Sequence, residues 1–427
     1  MANYQDLSNE ALQQKYNTLQ DAYEAIASQQ LQLDMSRGKP CTEQLDLSQP
    51  MLDIITSSST IKTENGTDAR NYGVLDGIPE AKAFFASILD VEPKQVIVGG
   101  NSSLTLMHDS IVQFLLHGVS EEATPWIKQD NVKFLCPSPG YDRHFTICEA
   151  LGIEMIPVAM TPEGPDMEEV EKLVAADPQI KGIWCVPKYS NPDGFTYSDD
   201  VVDRLAGMQT AADDFRIFWD NAYIVHHLTE EPDELKNIMT AVVDAGNPDR
   251  VMEFTSTSKV TFPGSGVAAL ASSEKNITFY KKHLSVQSIG SDKLNQMRHV
   301  AFLKDNDTLS AHMKKHAEIL APKFQTVLTI LEEKLGGKNI ADWTNPKGGY
   351  FISLNTMEGC AKDVVELAKK AGVTLTGAGA TYPYGKDPYD RNIRIAPTLP
   401  PTEELKKAID VLCLCVEMVS INRLLQK

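Results

Sequence analysis

A lysine set among small hydroxyl residues at the end of an apolar strand suits one kind of chemistry, the covalent capture of an aldehyde. Ser256-Thr257-Ser258-Lys259 is such a stretch. Val251–Thr255 before it reads as a buried strand, and Pro263, Gly264 and Gly266 after it break the chain. Lys259 therefore falls where a strand enters a loop. An amine there can form a Schiff base with an aldehyde cofactor. A lone lysine at a loop start is more commonly a solvated charge, so the assignment needs company.

Company comes upstream, where the apolar run Ile217–Trp219 ends on Asp220 and Tyr223 follows closely. A lysine for the imine, a carboxylate for a pyridinium nitrogen and a phenol for a ring oxygen are what pyridoxal 5′-phosphate requires. Asp220 alone reads equally well as a helix N-cap. The combination carries the reading.

The elements that must position these groups can be read from length and periodicity. A chain of 427 residues exceeds one small core, which predicts two domains sharing a cleft. Hydrophobic residues make up 42% and charged residues 23%, the balance of a soluble globular protein. The net charge of −18 disfavours nucleic acid or an anionic membrane as a partner. No apolar run is long enough to span a membrane, and the polar N-terminus lacks a signal-peptide core. Seven cysteines show no zinc spacing, and Cys413 and Cys415 lie in an apolar helical run as core residues. No metal is expected, and an odd cysteine count without a secretion signal points to the cytoplasm.

Along the chain, Leu12, Tyr16, Leu19, Tyr23 and Ile26 form one apolar stripe, predicting an N-terminal helix that packs on a smaller domain or a partner subunit. Leu33–Pro40, with Arg37 and Gly38, is irregular. Strand-like Gln95–Val98 runs into Gly99-Gly100-Asn101-Ser102-Ser103 and then a helix over Leu104–Leu116, an arrangement that brings N–H groups and hydroxyls to a phosphate. Val132–Cys136, Ile153–Val158, Gly182–Val186, Arg216–Trp219, Val251–Thr255 and Val267–Ala271 complete about seven strands, with helices between most of them. This predicts an α/β fold whose large domain holds a mostly parallel seven-stranded sheet between helices. Functional loops of such sheets gather at the strands' C-terminal ends. Asn101, Tyr141, Asn191, Asp220 and Lys259 all fall there. A long helix over about Ser310–Leu335, the segment Gly348–Leu354, a helix at Ala361–Ala371, a strand at Asn392–Ala396 and a terminal helix Glu403–Leu425 predict a smaller α+β domain. The expected division is 1–50 for the N-terminal helix and segment packing with the small domain, 51–315 for the large domain and 316–427 for the small one.

With these motifs in this order, the sequence resembles the fold-type I pyridoxal-phosphate-dependent aminotransferases over nearly its whole length. Within them it is most similar to the MocR-like branch, which includes an aspartate aminotransferase subgroup. The resemblance implies that Lys259 anchors the cofactor, Asp220 pairs with its ring nitrogen, and Tyr223 and Asn191 contact its ring oxygen. Tyr141 would stack on the ring and His144 support Asp220. Gly100, Asn101, Ser102, Ser256 and Ser258 would form the phosphate site, joined by Tyr72 from the other subunit of a homodimer. Arg394, in Asn392-Ile393-Arg394-Ile395, would clamp the substrate α-carboxylate, with Arg37 and Gly38 in a segment folded over the substrate. One position departs from the pattern, since Gly266 stands where most relatives place a phosphate-pairing arginine.

The branch implies transamination between L-aspartate and 2-oxoglutarate, which needs a second cation for the side-chain carboxylate. Arg37, Lys293 and Arg298 are candidates, the last two in the polar stretch Ser291–Arg298, expected between the domains and open to the cleft. Of the three, Arg298 is the expected one, since a planar fork suits a carboxylate better than Lys293 does. A broad or aromatic amino acid aminotransferase is the alternative. A cofactor-sensing regulator is a third reading, because MocR-like relatives fuse this fold to a DNA-binding domain; the single helix before Leu31 leaves no room for one.

Overall fold

The computed structural model describes residues 3–426. Asn9–Ala27 (α1) begins at Ser8, whose hydroxyl accepts the Ala11 N–H, and it buries Leu12 and Tyr23. The short strand Leu33–Asp34 (β1) and the helix Thr42–Asp46 (α2) follow. Pro79–Leu89 (α3) opens on a proline, whose missing N–H would have no partner in a first turn anyway.

Val96–Val98 (β2) and Ser103–His117 (α4) begin the repeating part of the chain. It continues with Lys133–Ser138 (β3), Asp142–Ala150 (α5), Glu154–Thr161 (β4), Gly164–Pro165 (β5), Met167–Ala176 (α6), Ile180–Cys185 (β6), Asp199–Gly207 (α7), Arg216–Asp220 (β7), Ile238–Asp244 (α8), Val251–Ser256 (β8) and Ala268–Ala271 (β9). These strands form one sheet in the order β2-β9-β8-β7-β6-β3-β4-β5. The five from β8 to β4 are parallel, whereas β9 runs antiparallel to β8 and β2, and β5 to β4. The eighth strand is the edge piece β5, which at two residues is too short to leave a period in the sequence.

Every residue of β6 and β7 is buried, as a sheet covered on both faces requires. Successive side chains point to opposite faces. Phe134 and Phe218 join the core beneath α4 and α5, while Leu135, Ile183 and Ile217 join the core beneath α6, α7 and α8. Each such fully buried side chain contributes about 1.5–3 kcal/mol by leaving water.

Glu274–Gln287 (α9) and Lys293–Leu303 (α10) follow the sheet. The stretch Ser291–Arg298, expected to be open to the cleft, is instead mostly helical. Asp292 caps the Asn295 N–H, and Lys293, Asn295 and Gln296 are buried. Their polar groups are satisfied inside, with Asn295 Nδ2 donating to the Ser265 and Gly266 carbonyls and Gln296 Oε1 accepting the Ile78 N–H.

Asn306–Leu335 (α11) spans 30 residues with Pro322 inside it. On one side of that proline, Leu309 and Met313 pack with α3. On the other, Phe324, Val327, Leu331 and Leu335 enter a second core with Leu12 and Tyr23. The elements of that second core are Ala341–Trp343 (β10), Ile352–Thr356 (β11), Ala361–Lys370 (α12), Val373–Thr374 (β12), Asn392–Ile395 (β13) and Thr402–Leu425 (α13). Strands β10, β11 and β13 form an antiparallel sheet. β1 pairs in parallel with β12, so residues 35–40 leave from the edge of this unit. Among the described residues no helix is long and apolar enough to cross a membrane, and no cluster of His, Cys, Asp or Glu is placed to hold a metal ion.

Candidate active site

Asp220 is the last residue of β7, where the sheet's hydrogen bonding stops and a side chain can face the crevice. Its Oδ2 pairs with His144 Nε2 at 2.9 Å. The His144 ring stacks on Trp184 of β6 at 4.2 Å and 8°, which fixes its plane. Oδ1 is buried and has no hydrogen-bond partner among the described residues. A buried carboxylate oxygen without a donor is costly, so the site is suited to an incoming N–H group.

Lys259 follows β8. Its Nζ lies 5.1 Å from the Tyr223 ring centroid and 5.5 Å from that of Tyr350. Burial pushes the ammonium pKa down; the Asp220 carboxylate draws it part of the way back and Arg394 opposes that. Burial also raises the phenols, Tyr223 well above its ordinary value and Tyr141 to about 12. Tyr141 meets His144 edge-on at 4.9 Å.

The hydroxyl cluster meets the turn before α4. Ser256 Oγ donates to Ser258 Oγ at 3.1 Å, and Ser258 Oγ donates to the Asn101 carbonyl at 3.3 Å. Ser102 caps α4 by accepting the Leu104 N–H. Gly100 has open space where a Cβ would be. At Gly266 a Cβ would lie 3.3 Å from the Asn101 and Phe262 carbonyl oxygens and from Thr257 Oγ1, so the loop closes tightly over the turn. Hydroxyls, a glycine gap and a helix N-terminus together fit an anion such as phosphate.

Arg394 reaches the site from β13, where it stands opposite Ser353 of β11. Nη1 donates to Asn191 Oδ1 at 3.2 Å and to Asp142 Oδ1 at 2.9 Å, and Nη2 donates to Thr376 Oγ1 at 3.2 Å. The guanidinium lies 4.8 Å from the Phe351 ring centroid. Thr376 donates in turn to the Ser36 carbonyl, which ties the segment before Arg37 to this group. Gly38 packs on Phe351 so closely that a Cβ would lie 2.5 Å from the ring, which is why the segment needs glycine there. Arg37 itself is exposed.

Two expected residues stand apart. Tyr72 is 80% exposed on this chain, in a loop held by Lys293 Nζ donating to the Gly73 carbonyl. Arg298 donates from Nη2 to Asn295 Oδ1 at 2.6 Å and to Ser265 Oγ at 3.3 Å, beside Gly266. Sequence reasoning missed Asp142, Tyr350, Phe351 and Thr376 as site residues. The glycine pair before Tyr350 was the one available signal, because it marks a close approach of backbone.

The family model described as aspartate amino-transferase matches residues 7–427. An aspartate aminotransferase of Corynebacterium glutamicum is 46% identical over 412 residues, covering 96% of this chain and 95% of that one. The crystal structure of an aspartate transaminase from Corynebacterium glutamicum superposes with a TM-score of 0.96 at 45% identity, covering 99% of both chains. The α-aminoadipate aminotransferase of Thermus thermophilus shares the fold, with a TM-score of 0.73 at 20% identity over 91% of this chain and 92% of its own. The architecture is therefore that of the fold-type I aminotransferases, as the motif order implied. With the match running almost from end to end, the chain belongs to the aspartate amino-transferase family.

Proposed function

We propose that the protein transfers the amino group of L-aspartate to 2-oxoglutarate, with pyridoxal 5′-phosphate held around Lys259. One observation carries the reading: a half-buried lysine over the Tyr223 ring, a buried carboxylate with an unpartnered oxygen and a buried arginine gather at a single site. Its substrate follows the relative named aspartate aminotransferase, at 46% identity.

The residues fit that cofactor. Asp220 Oδ1 would accept the ring N–H, Tyr223 and Asn191 would meet the ring oxygen, and Tyr141 would cover a ring face. Ser102, Ser256, Ser258 and the first turn of α4 would take the phosphate. When bound, the cofactor supplies an aldehyde to capture the amino group and a ring to take up the electrons released at Cα. Lys259 Nζ takes the proton from the substrate Cα, and its lowered pKa makes the neutral amine more available for that task. Arg394 holds the α-carboxylate and thereby aims the Cα–H bond. His144, braced by Trp184, keeps Asp220 in place.

On sequence motifs we place the chain in the MocR-like branch. We divide it into a large domain, 51–315, and a small one, 316–427, against which residues 1–50 pack. We also take it to act as a cytoplasmic homodimer in which Tyr72 serves the neighbouring site. Its 80% exposure supports that role. Co-expressing Tyr72→Phe with Lys259→Ala should yield heterodimers carrying one intact site and partial activity. Verified heterodimers with no activity would count against sharing.

For the side-chain carboxylate, the hydrogen bonding favours Arg37 over Arg298, the reverse of the expectation from sequence. Arg37 adjoins Ser36, which is linked through Thr376 to Arg394. Arg298 is engaged beside Gly266, on the phosphate side. Arg37→Leu should cost aspartate roughly 2–5 kcal/mol in kcat/KM and alanine far less. Arg298→Leu should weaken cofactor binding and lower both substrates alike. Titrating the wild-type holoenzyme with a panel of amino acids, followed by the cofactor's absorption, tests the whole reading. Aspartate should react first; an aromatic amino acid reacting first would replace aspartate with the broad or aromatic alternative.

A further inference from the structure

We propose that Asp142 is a carboxylate gate on Arg394: without substrate its side chain occupies the arginine, and an incoming substrate carboxylate must displace it. The inference rests on Arg394 being the substrate clamp. Arg394 is 6% exposed, and a buried guanidinium without a counter-charge would be strongly destabilising. Asn191 and Thr376 give it only neutral acceptors. The counter-charge comes from Asp142, in an ion pair of 2.9 Å. Nε on the same guanidinium is buried and has no partner among the described residues, so Asp142 leaves the group's hydrogen-bonding capacity incomplete. A substrate carboxylate arriving in that arrangement faces both the arginine it needs and a like charge already seated there.

The two partners are unequally held. Arg394 is fixed by strand pairing, by Phe351 and by two neutral acceptors. The Asp142 side chain is 34% exposed and has no other hydrogen-bond partner shown for its carboxylate. It is the first residue of α5, and Tyr141 before it offers that helix no side-chain cap. When displaced, the Asp142 carboxylate can turn to water while staying beside the uncapped first turn, where the helix dipole favours negative charge. Release therefore costs little, as exchange demands. The consequence is a site that keeps its arginine neutralised when empty and weakens its affinity for every α-carboxylate, amino acid and oxo acid alike.

The test uses holoenzyme with succinate, a dicarboxylate that has no amine to react. Asp142→Asn keeps the size and an acceptor oxygen but removes the charge. It should tighten succinate binding and lower the KM for aspartate about tenfold, with kcat changing much less. Asp142→Glu should return both constants towards wild type. In an Arg394→Gln background, Asp142→Asn should change neither. Weaker or unchanged succinate binding in Asp142→Asn would overturn the gate, making Asp142 a support that orients the arginine. An effect of Asp142→Asn that persists without Arg394 would overturn it as well. Wild-type succinate affinity in Arg394→Gln alone would instead remove the clamp reading, which separates that failure from failure of the gate.

Discussion

Replacing Lys259 by alanine is expected to abolish covalent capture of the cofactor aldehyde and to lower kcat by on the order of 10⁴-fold, since we propose one amine as both anchor and base. The geometry leaves little room for a substitute. Lys259 Nζ lies over the rings of Tyr223 and Tyr350, and the charges acting on it are those of Asp220 and Arg394. Lys188 is the competitor to consider, as it follows β6 and is buried. Its ammonium, however, lies over Tyr189, and the charges acting on it are Asp233 and Glu234. Borohydride reduction of holoenzyme followed by peptide mass mapping should find the adduct on Lys259 in the wild type and none in the variant. An adduct surviving in Lys259→Ala would move the anchor elsewhere, with Lys188 first to be examined.

The sequence made one half of this site legible and hid the other for a physical reason. Lys259, Asp220 and Asn191 each follow an apolar strand, and a parallel sheet obliges such positions to share one edge. The type of residue and its place in the strand pattern were therefore enough. Asp142, at the start of α5, and Arg394, on β13 of the second core, meet only in the folded chain, and nothing local marks a contact between residues so distant in sequence. Phe351 and Thr376 were invisible for the same reason. Helix α10 was obscured differently. Lys293, Asn295 and Gln296 have the composition of a solvated stretch, yet each is buried and makes at least one side-chain hydrogen bond to backbone. The early start of α11 lacks an apolar stripe over Asn306–Ser310 and depends on Asp305 capping the Thr308 N–H. Periodicity reads burial through apolar residues alone, so amide-rich cores and caps escape it.

Asp220→Ala should leave the cofactor bound but slow the transfer of the Cα proton by on the order of 10³-fold, the scale of a preorganised electrostatic contact removed from a reacting group. The cofactor should be retained because the proposed anchor, Lys259, and the proposed phosphate site lie on other loops. The rate falls because the ring nitrogen loses the carboxylate that Oδ1 would present to it, and the ring becomes a poorer acceptor of electrons. The same change leaves His144 Nε2 buried without its partner, at a cost of about 1–3 kcal/mol in stability. Asp220→Asn separates the two effects. It can keep a hydrogen bond to His144, so its melting temperature should stay near wild type while its single-turnover rate falls nearly as far as that of the alanine variant. Cofactor content by absorption, melting temperature and single-turnover rate, measured on all three proteins, give the comparison. A rate within a few-fold of wild type in Asp220→Asn would mean that the charge on Asp220 is not what the chemistry uses, and that the aspartate serves only to hold His144 against Trp184.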